Sequence, residues 1–166
     1  MDIQTALNGF STAALIGALI FAALQVRAAN RARSEQAAIT IVTTAQSDAW
    51  TRALNLLVQL PEGATIEQID AAGPDVVKAI EEIGIRVETI GYMVFRRIVT
   101  LDMVDELIGG VIVVWWLRIE AFAERDRART SNPKSYEWVQ WLAERLMERR
   151  GAAGSSPAYE KHADWS

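Results

Sequence analysis

Six carboxylates, Glu81, Glu82, Glu88, Asp102, Asp105 and Glu106, lie within one stretch of the chain. Paired carboxylates are what general acid–base chemistry and hard-cation binding require. No Glu-x-x-His pair of the di-iron type accompanies them. Glu82 stands four residues ahead of Arg86, the spacing of an ordinary ion pair on a helix surface, so the group is expected to form a solvated face. The single His, His162, sits in a terminal segment without an orienting shell, which argues against a triad and against a His-rich metal site. With no Cys, the sequence offers no thiol nucleophile, no disulfide and no Cys-ligated metal. A Walker-type phosphate loop and a nucleophile elbow are also missing. Arg96-Arg97 and the Arg125/Arg127/Arg129 group have the chemistry to touch phosphates or lipid headgroups. Glu124 and Asp126 dilute the second group into a mixed-charge surface. The expectation is no enzyme, with no catalytic, cofactor-binding or metal-ligating residue and no cofactor.

The elements that position these residues begin with an uncharged stretch. No charged side chain occurs from Ile3 to Val26, and all 17 Lys and Arg residues follow it. About 20 helical residues cross a hydrocarbon core of roughly 30 Å, so this segment is long enough. A cleavable signal peptide carries positive charge before its apolar run, where only Asp2 stands here. An interfacial helix would show a basic polar face. The reading is an uncleaved membrane span over residues 1–27, a cytoplasmic helical domain over 28–150, and a flexible or partner-bound tail over 151–166. Arg27, Arg31 and Arg33 flank only the C-terminal end of the span, so the positive-inside rule places the N-terminus outside and the main domain in the cytoplasm. A net charge of −4 argues against nucleic acid as a partner.

Within the span, Gly9, Ala13 and Gly17 recur at four-residue spacing, which lets another membrane helix approach closely. Beyond it, Ile39, Val42, Ala49, Ala53, Leu56 and Leu60 suit one helical face, and the first helix is expected to run as far as Pro61. Thr65 to Gln68 resembles a capping box, and Pro74 suits the first turn of a further helix. Val76, Ile80, Ile83, Val87, Ile90 and Val94 then alternate four and three apart as a packing seam. Gly84 and Gly91 lie one heptad apart beside it and predict a tight helix crossing. Thr100 is a candidate cap for a helix with the stripe Val104, Ile108, Val111, Trp115, Ile119 and Phe122. Leu107 to Leu117, apolar all round, predicts the central core helix, with a strand over Val111–Val114 as the alternative. Ser135 is a candidate cap for a last helix with Trp138, Leu142 and Leu146 inward. The fold class is therefore all-α: an N-terminal transmembrane helix continuing into a helical bundle.

Six Trp residues are many for 166. Adjacent Trp115 and Trp116 point about 100° apart on a helix, so both cannot face one core partner equally. Trp116, Trp141 and Trp165 are the candidates for contact with another chain or with headgroups, and Trp115 and Trp138 for the core.

The anchor with its basic flank, Val87-Glu-Thr-Ile-Gly-Tyr-Met-Val94, Asp102-Met-Val-Asp-Glu-Leu-Ile-Gly109, Trp116 and Tyr136-Glu-Trp-Val-Gln-Trp-Leu142 resemble a family of bacterial single-pass membrane proteins whose domain has no assigned function. The resemblance covers most of the chain. It implies an all-α cytoplasmic domain without enzymatic activity and transfers no site residue. The resulting expectation is an accessory or scaffold subunit of the bacterial inner membrane. It would dock onto a larger membrane complex, an energy-converting (respiratory or photosynthetic) one being the favoured example, with other subunits and the bilayer as partners. The alternative is a self-associating, homo-oligomeric anchored sensor or adaptor. An enzyme or lipid-binding module would need a carboxylate- or Arg-lined pocket.

Overall fold

The computed structural model describes the backbone of residues 3–153 and 157–165, and the side chains of residues 14–151, 157–160 and 162–165. Among these residues every regular element is a helix, and Val111–Val114 is helical rather than a strand. The chain forms two units, Met1–Ile39 and Thr40–Ser166.

The first unit lies in helix α1 (Ile3–Ala45). Charge-free sequence without Pro lets the helix propagate unbroken, and its stretch from Ala14 is long and apolar enough to cross a membrane. Leu15, Ile16, Leu19, Ile20, Phe21 and Leu24 all remain more than half exposed. At α1's charged end, Arg31 pairs with Glu35 at 2.8 Å.

In the second unit the first helix does not continue to Pro61. It stops at Ala45, and α2 (Asp48–Leu57) begins afresh behind Ser47. Ser47 is extended (φ −72°, ψ 143°) and caps the new helix with its hydroxyl. The hydroxyl donates to the Thr44 carbonyl at 2.8 Å and accepts from the Trp50 amide at 3.3 Å and from Arg86 Nη1 at 3.0 Å. Arg86 thus reaches a cap on another helix, and no Glu82–Arg86 ion pair forms among the described residues. The restart also shifts the buried face to Ile41, Trp50, Ala53, Leu57 and Leu60, leaving Ile39 57% exposed.

Helix α3 (Ile66–Ala71) opens on the expected capping box, Thr65 and Gln68 satisfying each other's backbone amides. Helix α4 (Pro74–Phe95) starts with Pro at its first position and buries all six seam residues from Val76 to Val94. Thr100 caps α5 (Leu101–Val104) through the Met103 amide. A single π-helical turn, Asp105–Gly109, then leads into α6 (Gly110–Thr130). Helix α7 (Glu137–Ala153) and the short α8 (Ala158–Lys161) complete the chain.

Helix α4 packs chiefly on α2 and α7, and α6 packs on α7 with smaller contacts to α3 and α2. The α4–α7 crossing is as close as the two glycines predict. A Cβ on Gly84 would lie 2.6 Å from the Tyr136 ring, and one on Gly91 would overlap the Trp138 carbonyl. Helix α7 turns Val139, Leu142, Ala143 and Leu146 fully inward. Trp138, expected inward, is only half-buried at the seam's edge.

The cap of α7 is also a correction. Helical backbone starts at Glu137, after Tyr136 in the left-handed region (φ 58°), so Ser135 lies too early to serve. Glu88, on α4, takes the role across the crossing: its Oε2 accepts from the Trp138 amide at 3.1 Å. Arg127 holds the approach, donating to the Ser135 carbonyl at 2.8 Å and the Tyr136 carbonyl at 3.3 Å. Burial raises the Glu88 pKa, and the amides of Trp138 and Val139 only partly oppose it.

The consequence for stability follows from linkage. A carboxyl with a raised folded-state pKa contributes most below its unfolded value, and that contribution is lost as pH rises through the folded value. Glu88→Gln keeps an oxygen for the Trp138 amide and removes the buried charge. It is expected to equal or exceed the parent in stability at neutral pH and to flatten this part of the pH dependence, as denaturation midpoints from about pH 4 to 8 would show. A Gln variant that is less stable at neutral pH and keeps the slope would mean that the ionised carboxylate carries the cap.

Candidate functional site

Of the six carboxylates, Glu88, Asp102 and Asp105 help to hold helices together, while Glu81 and Glu106 lie on the expected solvated face. Asp105 meets Arg150 at 2.9 Å and Arg149 at 3.5 Å, and Arg149 also meets Asp102, so the π-helical turn is tied to the end of α7. Asp70 receives Arg125 on both oxygens at 2.7 Å, fixing α3 against α6. No group of three or more His, Asp or Glu residues with metal-binding geometry occurs among the described residues. Two apolar or aromatic surfaces stand out.

One such surface lies between α2 and α6. The stretch Leu107–Leu117 is not enclosed on all sides, as its composition predicts. Leu107, Val111 and Val114 recur on one helical face and are 45%, 37% and 38% exposed. This happens because the π turn and α6 have neighbours on only part of their circumference. Between Val111 and Val114 of that stripe and Leu54, Leu57 and Val58 runs an apolar groove of about 220 Å³, with Gly110 and Trp115 also lining it. Arg118 stands at its edge but is committed elsewhere. Its Nε donates to the Leu60 carbonyl at 2.9 Å, and its Nη1 to the Val114 carbonyl at 2.7 Å and to Glu62 at 3.4 Å. The same region is closed by the Gly63 amide donating to the Leu117 carbonyl at 2.7 Å.

A second surface forms where α4 and α7 cross. Trp138 stacks on Phe95 at 4.7 Å between centroids and meets Tyr92 edge-on at 5.6 Å, and Trp141 joins at 6.0–6.1 Å from Phe95 and Trp138. The cluster is only partly covered, Tyr92 being 44% and Phe95 53% exposed. Beside it, Arg96 lies over the Tyr92 ring at 5.9 Å.

The expected contact residues therefore divide. Trp141 belongs to this half-exposed cluster, and Trp165 is 86% exposed. Trp116 is corrected: at 2% exposure it is a core residue, as is Trp115. Helix α6 has neighbours on more than one side, so two adjacent Trp side chains find separate buried positions. Of the small-residue face, Gly17 is open, with nothing among the described residues beyond its own helix backbone within 4 Å of an added Cβ, while Gly9 and Ala13 lie outside the described side chains. Arg27, Arg31 and Arg33 are all exposed on α1. Sequence reasoning missed the open stripe on α6, whose only local sign is the glycine pair that precedes it.

Residues 12–146 match the family model of a domain of unknown function, DUF4760, and the chain belongs to that family. No curated protein and no solved structure matches it.

Proposed function

We propose that this member of the DUF4760 family is a membrane-anchored accessory subunit that docks onto a larger membrane protein assembly of the bacterial inner membrane. Helix α1 is the anchor, with its N-terminus outside. Arg27, Arg31 and Arg33 support that orientation through the positive-inside rule. The reading is non-enzymatic, with an energy-converting complex as the favoured assembly.

The observation that carries the docking role is the apolar groove between α2 and α6. The lining is apolar apart from Arg118, whose Nε and Nη1 are already engaged, and the buried Trp115 indole N–H, unpartnered among the described residues, so it favours an apolar occupant. A groove of about 220 Å³ is smaller than the roughly 300–1,000 Å³ of drug-sized sites and somewhat larger than the ~150 Å³ that holds a benzene. That size suits one bulky apolar side chain, of the kind that anchors protein interfaces. The occupant is therefore a helix of a neighbouring subunit, seated on the Leu107/Val111/Val114 stripe.

The test is mild-detergent extraction from the native membrane, native-mass separation and identification of co-migrating chains. Val114→Asp places a charge in the groove at a position already 38% exposed, so the domain itself tolerates it. Replacing Gly17 by Leu probes the membrane face at a position where an added Cβ meets nothing within 4 Å among the described residues beyond its own helix backbone. Co-migration with a defined complex that Val114→Asp abolishes is the expected result. A lone monomer in the parent protein would overturn the reading, and a homo-oligomer would replace it with the self-associating sensor or adaptor.

A further inference from the structure

The end of α4 carries a second, different surface. Helix α4 closes in a Schellman turn, the Ile98 amide donating to the Met93 carbonyl and the Arg97 amide to the Val94 carbonyl, both at 2.9 Å. This turn places its penultimate residue in the left-handed region, where Gly is usual. Here that residue is Arg97, at φ 55°. An L side chain in this conformation is strained, so the turn holds a cation where the backbone alone would favour Gly. Around it, Phe95 and Ile98 are 53% and 43% exposed, and Tyr92 is 44% exposed. Arg96 and Arg97 are exposed and have no carboxylate partner among the described residues, and Arg96 Nη1 reaches the Tyr92 hydroxyl at 3.5 Å.

We propose that the Phe95–Ile98 turn, with Tyr92, is a contact site for an anionic lipid surface. Phe95 and Ile98 enter the headgroup region, and Arg96 and Arg97 meet lipid phosphates. Charge complementarity selects this occupant: two guanidinium groups without a carboxylate partner among the described residues, flanked by exposed apolar and aromatic side chains, match the composition of segments that lie at membrane–water boundaries. The α2–α6 groove has no free cation and suits a protein side chain instead. The proposal rests on the anchoring role of α1.

The chain has no Cys, so Ile98→Cys gives a single attachment point for an environment-sensitive fluorophore. The full chain is reconstituted into nanodiscs of phosphatidylcholine alone or with phosphatidylglycerol, and quenching by brominated acyl chains is recorded. Quenching that rises with phosphatidylglycerol is expected. Each Arg near an anionic surface is worth about five-fold in the docked-to-free ratio, so Arg96→Gln with Arg97→Gln should lower that ratio about thirty-fold. Arg97→Gly separates function from fold, because it relieves the strained backbone and should raise the thermal midpoint while lowering docking about five-fold. A label that stays in water on discs of both compositions overturns the proposal and returns the surface to a protein partner. Failure of the chain to insert into either disc overturns the anchoring reading itself, and is scored separately by disc co-purification.

Discussion

Trp116→Ala lowers the stability of the helical domain by about 3–5 kcal/mol, whereas Trp165→Ala leaves its unfolding midpoint unchanged. The first figure is the usual cost of deleting a large buried aromatic side chain, the lost transfer free energy adding to that of the cavity left behind. Trp116 is 2% exposed and Trp165 is 86% exposed, so the two substitutions lie at opposite ends of the burial scale. Domains of this kind are stable by only about 5–15 kcal/mol, so the substitution removes a large share of the domain's stability. Any loss of partner binding in the Trp116 variant then reports folding rather than an interface. Denaturant unfolding of the full chain in detergent, followed by circular dichroism, checks this. A Trp116→Ala protein with a parental midpoint and a lost partner would restore that residue to the interface. The same reasoning makes Trp165→Ala and Val114→Asp the informative probes of docking, because both positions already face solvent.

What the sequence reveals about this fold is local or periodic. Six seam residues of α4 spaced four and three apart are all buried, because a helix with that repeat has one face to cover. Thr65 with Gln68 and Thr100 with Met103 close their helix starts within three residues, so the chain itself carries the signal. The errors concern residues whose role depends on distant partners. Ser47 caps a new helix with support from Arg86, and Glu88 caps α7 from 50 residues away. Neither pairing has a spacing rule. Periodicity also says which residues share a face without saying how many faces a helix must cover. That is why Trp116, assigned to the outside, lies inside, and why Val111 and Val114, assigned to a core run, line an open groove. The candidate site is thus the least legible part of the chain: it is defined by where neighbouring helices stop.

Gly91→Ala is the smallest substitution with a large expected effect, a net loss of about 2–4 kcal/mol. The added methyl would overlap the Trp138 carbonyl oxygen and lie 2.9 Å from its carbon and 3.0 Å from its Cβ. The obstacle is backbone, so no side-chain rotation relieves it and α7 must move away from α4. Overpacking of this kind costs about 1–3 kcal/mol. The movement also disturbs the Glu88 cap on the Trp138 amide and the stacking of Trp138 on Phe95 and Tyr92, each worth about 1 kcal/mol. Better helix propensity returns about 1 kcal/mol for replacing Gly by Ala. At Gly84 the balance differs, because the added methyl meets the Tyr136 ring at 2.6 Å. Relief needs a shift of about 0.8 Å at the Tyr136 ring, to the ordinary 3.4 Å contact distance, and a side chain makes such a shift more readily than backbone. The Gly84 variant should therefore lose no more than about 1 kcal/mol once helix propensity is counted. Gly151→Ala, with no atom nearby, serves as the control and should be neutral or slightly stabilising. Parallel unfolding curves would rank the three variants, with near-ultraviolet circular dichroism reporting the Trp138 environment. Equal midpoints for Gly91→Ala and Gly84→Ala would mean that α7 slides freely on α4, and the α4–α7 crossing could then not hold the aromatic surface in one arrangement.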